Sequence, residues 1–111
     1  METKQLVLKY WNSWQGDPDW ESFRECLDEN CKVNMGVFEA NNAEMLLTIT
    51  KSGNPWKDVE MLELICDENK AALIYQGTDT TSGQKFRVSE FITLDNHKIQ
   101  QVIGSIAMLT T

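Results

Sequence analysis

The sequence predicts an α+β fold in which three N-terminal helices pack on a curved antiparallel sheet and enclose a pocket. Three observations carry this reading. The stretch from Val59 to Ala107 divides into four strands joined by three short polar turns, two tryptophan-rich segments of helical period precede it, and a third helical segment lies between. Helices laid across one face of a strongly curved sheet leave a hollow between the layers, and side chains facing that hollow carry whatever chemistry exists.

Leu6, Val7, Tyr10, Trp11 and Trp14 recur at spacings of three and four, which places them on one stripe of a helix from about Thr3 to Gln15. Gly16 ends it. Asp17-Pro18 gives the next start signal, a capping carboxylate before a proline at the first helical position, and Trp20, Phe23 and Leu27 form the inner face of that second helix. After the polar Asp28-Glu29-Asn30, a period of two from Cys31 to Phe38 predicts a short strand. Asn41 or Asn42 caps a third helix with Ala43, Leu46, Leu47 and Thr50 on one face, and Ser52-Gly53-Asn54-Pro55 stops it. The strands that follow from Trp56 are bounded by turn signals at Asp67-Glu68-Asn69-Lys70, Thr80-Thr81-Ser82-Gly83-Gln84 and Asp95-Asn96-His97. Links this short make antiparallel neighbours.

The chain has 111 residues, 41% of them hydrophobic, which suffices for one domain over residues 1–111 with one core and no cross-links. The apolar runs Ala71 to Tyr75 and Ile103 to Leu109 fall far short of the ~20 residues a membrane helix needs. Met1-Glu2-Thr3-Lys4 does not open a secretory signal, so a soluble cytoplasmic protein is expected. Cys26, Cys31 and Cys66 are odd in number and read as reduced, buried thiols. With no Cys-x-x-Cys pair and a single histidine, His97 in a turn, neither a metal site nor a cofactor is expected. Ten basic residues against seventeen acidic give a net charge of −7, and the basic ones are scattered. Such a surface repels phosphates, which argues against nucleic acid and anionic membranes. The six glycines are isolated, so no phosphate loop is present.

One residue breaks the dry face of the third C-terminal strand. Phe86, Val88, Ile92 and Leu94 point one way and Lys85, Arg87, Ser89, Phe91 and Thr93 the other, but Glu90 falls among the apolar set. A carboxyl there is disfavoured in its charged form and can donate a hydrogen bond or move a proton near neutral pH, which makes Glu90 the candidate catalytic residue. Alternatively it is tied to a tyrosine, an indole or a backbone amide, or a bulge turns it to solvent. Tyr10 and Trp14 serve either as core or as pocket wall, and Met35, Trp56 and Tyr75 are further candidates to touch a ligand. In the last strand Gln101 falls between Ile99 and Ile103, a second polar insertion in an apolar row, and is the remaining candidate ligand contact.

With these elements in order, the chain resembles the nuclear transport factor 2-like, or SnoaL-like, superfamily of small cone-shaped α+β domains. The resemblance rests on helix one closing at Gly16-Asp17, helix two running into Leu27-Asp28-Glu29-Asn30-Cys31-Lys32-Val33, a third helix, and Phe91-Ile92-Thr93-Leu94-Asp95-Asn96-His97-Lys98-Ile99 as strand, turn and restart. It covers essentially the whole chain and speaks to architecture more than to activity, because members include enzymes, transport factors and association domains. Steroid isomerases of the superfamily pair an aspartate base with a tyrosine from helix one and a protonated carboxyl on a later strand. The resemblance places the carboxyl at Glu90 and the tyrosine at Tyr10 or Trp11, but the base at or beside Met35, with Asn34 preceding it. Methionine cannot abstract a proton. The cyclases and epoxide hydrolases rely on late carboxylates that Ser105-Ile106-Ala107 does not supply.

Three functions follow as expectations. The first is a domain that binds a small, mostly apolar molecule with Glu90 fixing one polar atom. The second is an acid–base isomerase, cyclase or hydrolase that uses Glu90, and the third an association domain with a filled pocket. A homodimer through the outer sheet face, where Phe91 lies, is compatible with all three.

Overall fold

The computed structural model describes residues 2–53 and 55–110. Helices α1 (Thr3–Ser13), α2 (Trp20–Glu25) and α3 (Ala43–Ser52) pack on strands β1 (Leu27–Asn34), β2 (Glu39–Ala40), β3 (Trp56–Cys66), β4 (Lys70–Asp79), β5 (Lys85–Asp95) and β6 (Lys98–Met108). The strands form one curved sheet in the order β2-β1-β6-β5-β4-β3. The α+β expectation with three helices holds, and strand structure separates α2 from α3 as expected, with the short β2 added. The difference is that β1 lies parallel to β6, so only the other ladders are antiparallel.

Helix α1 buries the expected stripe, Leu6, Val7, Tyr10 and Trp11. Beyond it Gly16 takes φ +58°, a left-handed conformation glycine adopts freely. The cap of α2 is Asp19, not Asp17: its carboxylate accepts from the Ser22 amide at 3.1 Å and from the Ser22 hydroxyl at 2.8 Å, while Pro18 stays outside the helix. Leu27 belongs to β1, and Asp28-Glu29-Asn30 lie inside that strand. The strand expected over Cys31 to Phe38 stops at Asn34, where the chain turns through Gly36 (φ +82°) and returns as β2. Of the two candidate caps for α3, Asn42 accepts from the Met45 amide at 2.8 Å. Asn54, within the stop signal of that helix, lies outside the described residues, as does Met1.

Strands β3 to β6 form a meander. Asn96 and His97 both adopt positive φ (50° and 61°), as a two-residue β5–β6 hairpin requires. Just past that turn β6 bulges. Leu94 pairs with Ile99, whereas Thr93 pairs with Gln101, so Gln100 is an extra residue and the alternation of β6 changes phase. Ile99 and Val102 therefore both point into the core, where Phe23, Leu27, Leu73 and Ile92 are fully buried. Among the described residues no helix is long and apolar enough to cross a membrane. Cys26 and Cys31 are buried free thiols that burial pushes up to about 11, and Cys66 is half-buried.

Candidate functional site

The unbroken alternation of β5 turns Val88, Glu90, Ile92 and Leu94 to the concave face, and Glu90 is 4% exposed. Its cross-strand neighbours there are Leu73 on β4 and Gly104 on β6. Both carboxyl oxygens are engaged by tyrosines. The Tyr10 hydroxyl donates to Oε1 at 3.0 Å from α1, and the Tyr75 hydroxyl donates to Oε2 at 2.7 Å from β4. Tyr75 reaches the carboxyl diagonally, because it pairs with Val88 two positions away on the same face.

Two groups of aromatic rings hold those hydroxyls in place. Tyr10 stacks on Phe23 at 5.6 Å, and Phe23 meets Trp20 edge-on at the same separation. On the other side Tyr75 is surrounded by Trp11 at 4.8 Å, Trp14 at 5.5 Å and Trp56 at 6.4 Å. Rings packed at such separations have little freedom to turn, so the two donors are held in place by the fold itself. Trp56 in turn stacks on Phe86 and lies over Gly77, where a Cβ would come within 2.8 Å of its ring.

In front of this cluster is a cavity of about 610 Å³, within the size range of small-molecule sites. Tyr10, Trp14, Met35, Trp56, Tyr75 and Glu90, all singled out from the sequence, line it together. Gln101 does not. The β6 bulge turns it to the outer face, where it is exposed opposite Thr93, and Ser105 points the same way. Met35 packs against Gly104, whose missing side chain leaves room beside Glu90. Trp20, Phe23 and Phe38 also line the cavity, although Trp20 and Phe23 read as core in the sequence. The exposed Gly16, Pro18, Lys51, Gly53 and Pro55 rim its mouth, and nothing in the sequence sets Lys51 apart from other helix-ending lysines.

Glu90 is the only carboxyl, and Lys51 the only cation, among the described residues lining the cavity. Burial pushes the Glu90 carboxyl above the ordinary glutamate value, against the two tyrosine hydrogen bonds, which pull it down. Burial, reinforced by the neighbouring Glu90 charge, drives Tyr10 and Tyr75 well above the ordinary phenol value. The tyrosines therefore stay protonated near neutral pH and act as donors to Glu90.

No protein-family model matches the sequence, and no curated protein matches it. Solved structures match over nearly the whole chain. A putative ketosteroid isomerase from Kribbella flavida superposes with a TM-score of 0.85 at 17% identity, covering 98% of this chain and 80% of that one. A nuclear transport factor 2-like protein of unknown function from Cytophaga hutchinsonii gives 0.81 at 16% identity, covering 98% and 91%. The chain has the nuclear transport factor 2-like fold. An LEH-like epoxide hydrolase from M. tuberculosis, with a TM-score of 0.77 at 13% identity over 93% and 80% of the two chains, shows that unlike chemistries share this architecture. In this nuclear transport factor 2-like fold Met35, at or beside which the resemblance implies the isomerase base, lines the cavity and carries no titratable group.

Proposed function

We propose that this chain binds a small, mostly apolar molecule in the cavity, with Glu90 holding the ligand's one polar atom. The observation that carries this reading is a lone buried carboxyl, clamped by two tyrosines, at the floor of an aromatic-lined hollow. Acid–base turnover generally divides proton transfer between two groups of suitable pKa, and here a single acid faces two phenols held far from neutrality. The isomerase, cyclase or hydrolase reading draws on the raised pKa of Glu90 and on neighbours of the fold described as isomerase and epoxide hydrolase. Tyr10, Trp14, Met35, Trp56 and Tyr75 form the binding wall in either case.

A thermal-shift screen of apolar compounds tests the proposal. Binders at a hundredfold excess over Kd raise native stability by about 2.7 kcal/mol, which reads as a higher Tm. Replacing Glu90 with Gln should then weaken those binders about tenfold, the cost of one charge-assisted hydrogen bond. An enzyme would instead keep its affinity and lose kcat. A screen without any hit contradicts the binding reading.

A homodimer through the outer sheet face accompanies the proposal. Register sets Ile65, Ala72, Phe91 and Ile103 side by side across β3, β4, β5 and β6 on that face, and Ile65, Phe91 and Ile103 are 65%, 62% and 51% exposed. A continuous apolar row of this kind favours a covering partner. Sedimentation should show a dimer for the natural chain and a monomer for Phe91→Lys; a natural chain that stays monomeric at high micromolar concentration contradicts the dimer. Three free thiols support a reducing compartment such as the cytoplasm.

A further inference from the structure

Resting on the binding proposal above, one step further concerns the sign of the ligand's polar group. Buried carboxylates are normally paired with a cation, because an unpaired charge in an apolar surrounding is expensive. Among the described residues Glu90 has no such partner. The ion pairs formed among the described residues are Lys9 with Glu25 and Arg24 with Glu44, both away from the cavity lining. The groups that face Glu90 are the Tyr10 hydroxyl from α1 and the Tyr75 hydroxyl from β4, while β6 presents Gly104 without a side chain and the segment after β1 presents Met35. Lys51, from α3, sits exposed at the rim.

The direction of the hydrogen bonds narrows the ligand further. Each tyrosine has one proton to give, and both are directed at Glu90. Once Glu90 is ionised, the three groups together offer a ligand lone pairs and no donor. A carbonyl or carboxylate would meet only acceptors, whereas an ammonium would supply both the donor and the missing positive charge. The walls suit the same group. Three of the four tryptophans and both tyrosines line the cavity, and aromatic faces attract organic cations. The net charge of −7 draws cations toward the protein as a whole.

We propose that the ligand of this cavity is an organic ammonium compound, its N–H donating to Glu90 and its apolar body resting on Trp14, Trp56 and Tyr75. In the empty protein Glu90 holds a proton more readily than an exposed glutamate does, so an unpaired charge is avoided until the ligand completes the pair.

Calorimetry with a matched set tests this: 2-naphthylmethylamine, 2-naphthalenemethanol, 2-acetonaphthone and 2-naphthylacetic acid, each with the natural chain and with Glu90→Gln. The amine should bind about tenfold or more tighter than the alcohol and the ketone at pH 7.5. Glu90→Gln should remove that preference, weakening the amine about tenfold more than the ketone, which makes no hydrogen bond to an ionised Glu90. A second readout needs only the natural chain. The amine stays charged below about pH 9, so its affinity should rise with pH through the range in which Glu90 ionises, whereas a ketone held by a protonated Glu90 would weaken over the same range. Tighter binding of the ketone or the acid, a flat or falling pH profile for the amine, or an amine preference that survives in Glu90→Gln would overturn the ammonium assignment while leaving the cavity a binding site. If none of the four compounds binds, both proposals fall.

Discussion

A single methyl group on Gly104 will destabilise the protein by about 3 kcal/mol or more, the upper end of what overpacking costs. A Cβ built there lies 2.0 Å from the Ser89 carbonyl oxygen and 3.0 Å from both Cε and Sδ of Met35. A side-chain rotation relieves the methionine contact but not the backbone one, so β5 and β6 must separate at the rung that carries Glu90. Two other glycines calibrate the effect. Gly16→Ala, with nothing within 4 Å but φ at +58°, should cost about 1 kcal/mol of left-handed strain. Gly77→Ala should fall between, because the nearest atom is the movable ring of Trp56 at 2.8 Å. Urea unfolding measures all three. A loss below 1 kcal/mol at Gly104 would mean that the Glu90 rung is not held in the close pairing described above.

The second large effect is a fall in stability with rising pH that Glu90→Gln abolishes. Burial raises the pKa of Glu90 in the folded protein above the 4.5 of an unperturbed glutamate. Below 4.5 folded and unfolded chains both hold the proton, and the stability Glu90 contributes is fully present. As pH climbs from 4.5 toward the folded pKa, the unfolded chain releases its proton while the folded one keeps it. Stability then falls at up to about 1.4 kcal/mol per pH unit and levels off above the folded pKa. Asp19 works in the other direction and in another window. Its carboxylate is held below 3.8 by the Ser22 amide and hydroxyl, so its contribution is lost only as pH falls further. Subtracting the pH profile of Glu90→Gln from that of the natural chain isolates the buried carboxyl. A difference that rises with pH, or stays flat, contradicts its burial.

What the sequence made legible follows from where side-chain periodicity stays intact. Strand β5 keeps its alternation from Phe86 to Leu94, so one polar residue in that row was enough to place Glu90 on the concave face. Tyr10 and Trp14 followed from a helical stripe of the same regularity. Gln101 was misplaced because one extra residue at Gln100 shifts the phase of β6, and neither glutamine announces a bulge. The start of β1 was hidden in a similar way. Asp28, Glu29 and Asn30 span a register irregularity between Leu27 and Lys32, and their polarity reads as a loop although the backbone is extended. The parallel β1–β6 ladder joins residues some seventy positions apart, and no local signal reports it. Tyr75 read only as a candidate ligand contact, and its burial against Trp11, Trp14 and Trp56 was not legible, because strand curvature decides depth where alternation decides only side. The lone acid among apolar neighbours was thus readable, whereas the two tyrosines that hold it required the folded sheet.

The most direct test of a ligand cavity built around Glu90 is a carbon-13 NMR titration of the glutamate side-chain carboxyls, with Glu90 assigned through Glu90→Gln. The Glu90 resonance should titrate above the ordinary glutamate range and move on adding 2-naphthylmethylamine or another binder from the thermal-shift screen, while those of the exposed Glu60 and Glu63 on β3 stay in place. A Glu90 resonance that titrates at or below the ordinary glutamate value, and ignores every compound that raises the Tm, would contradict a ligand cavity built around a buried carboxyl.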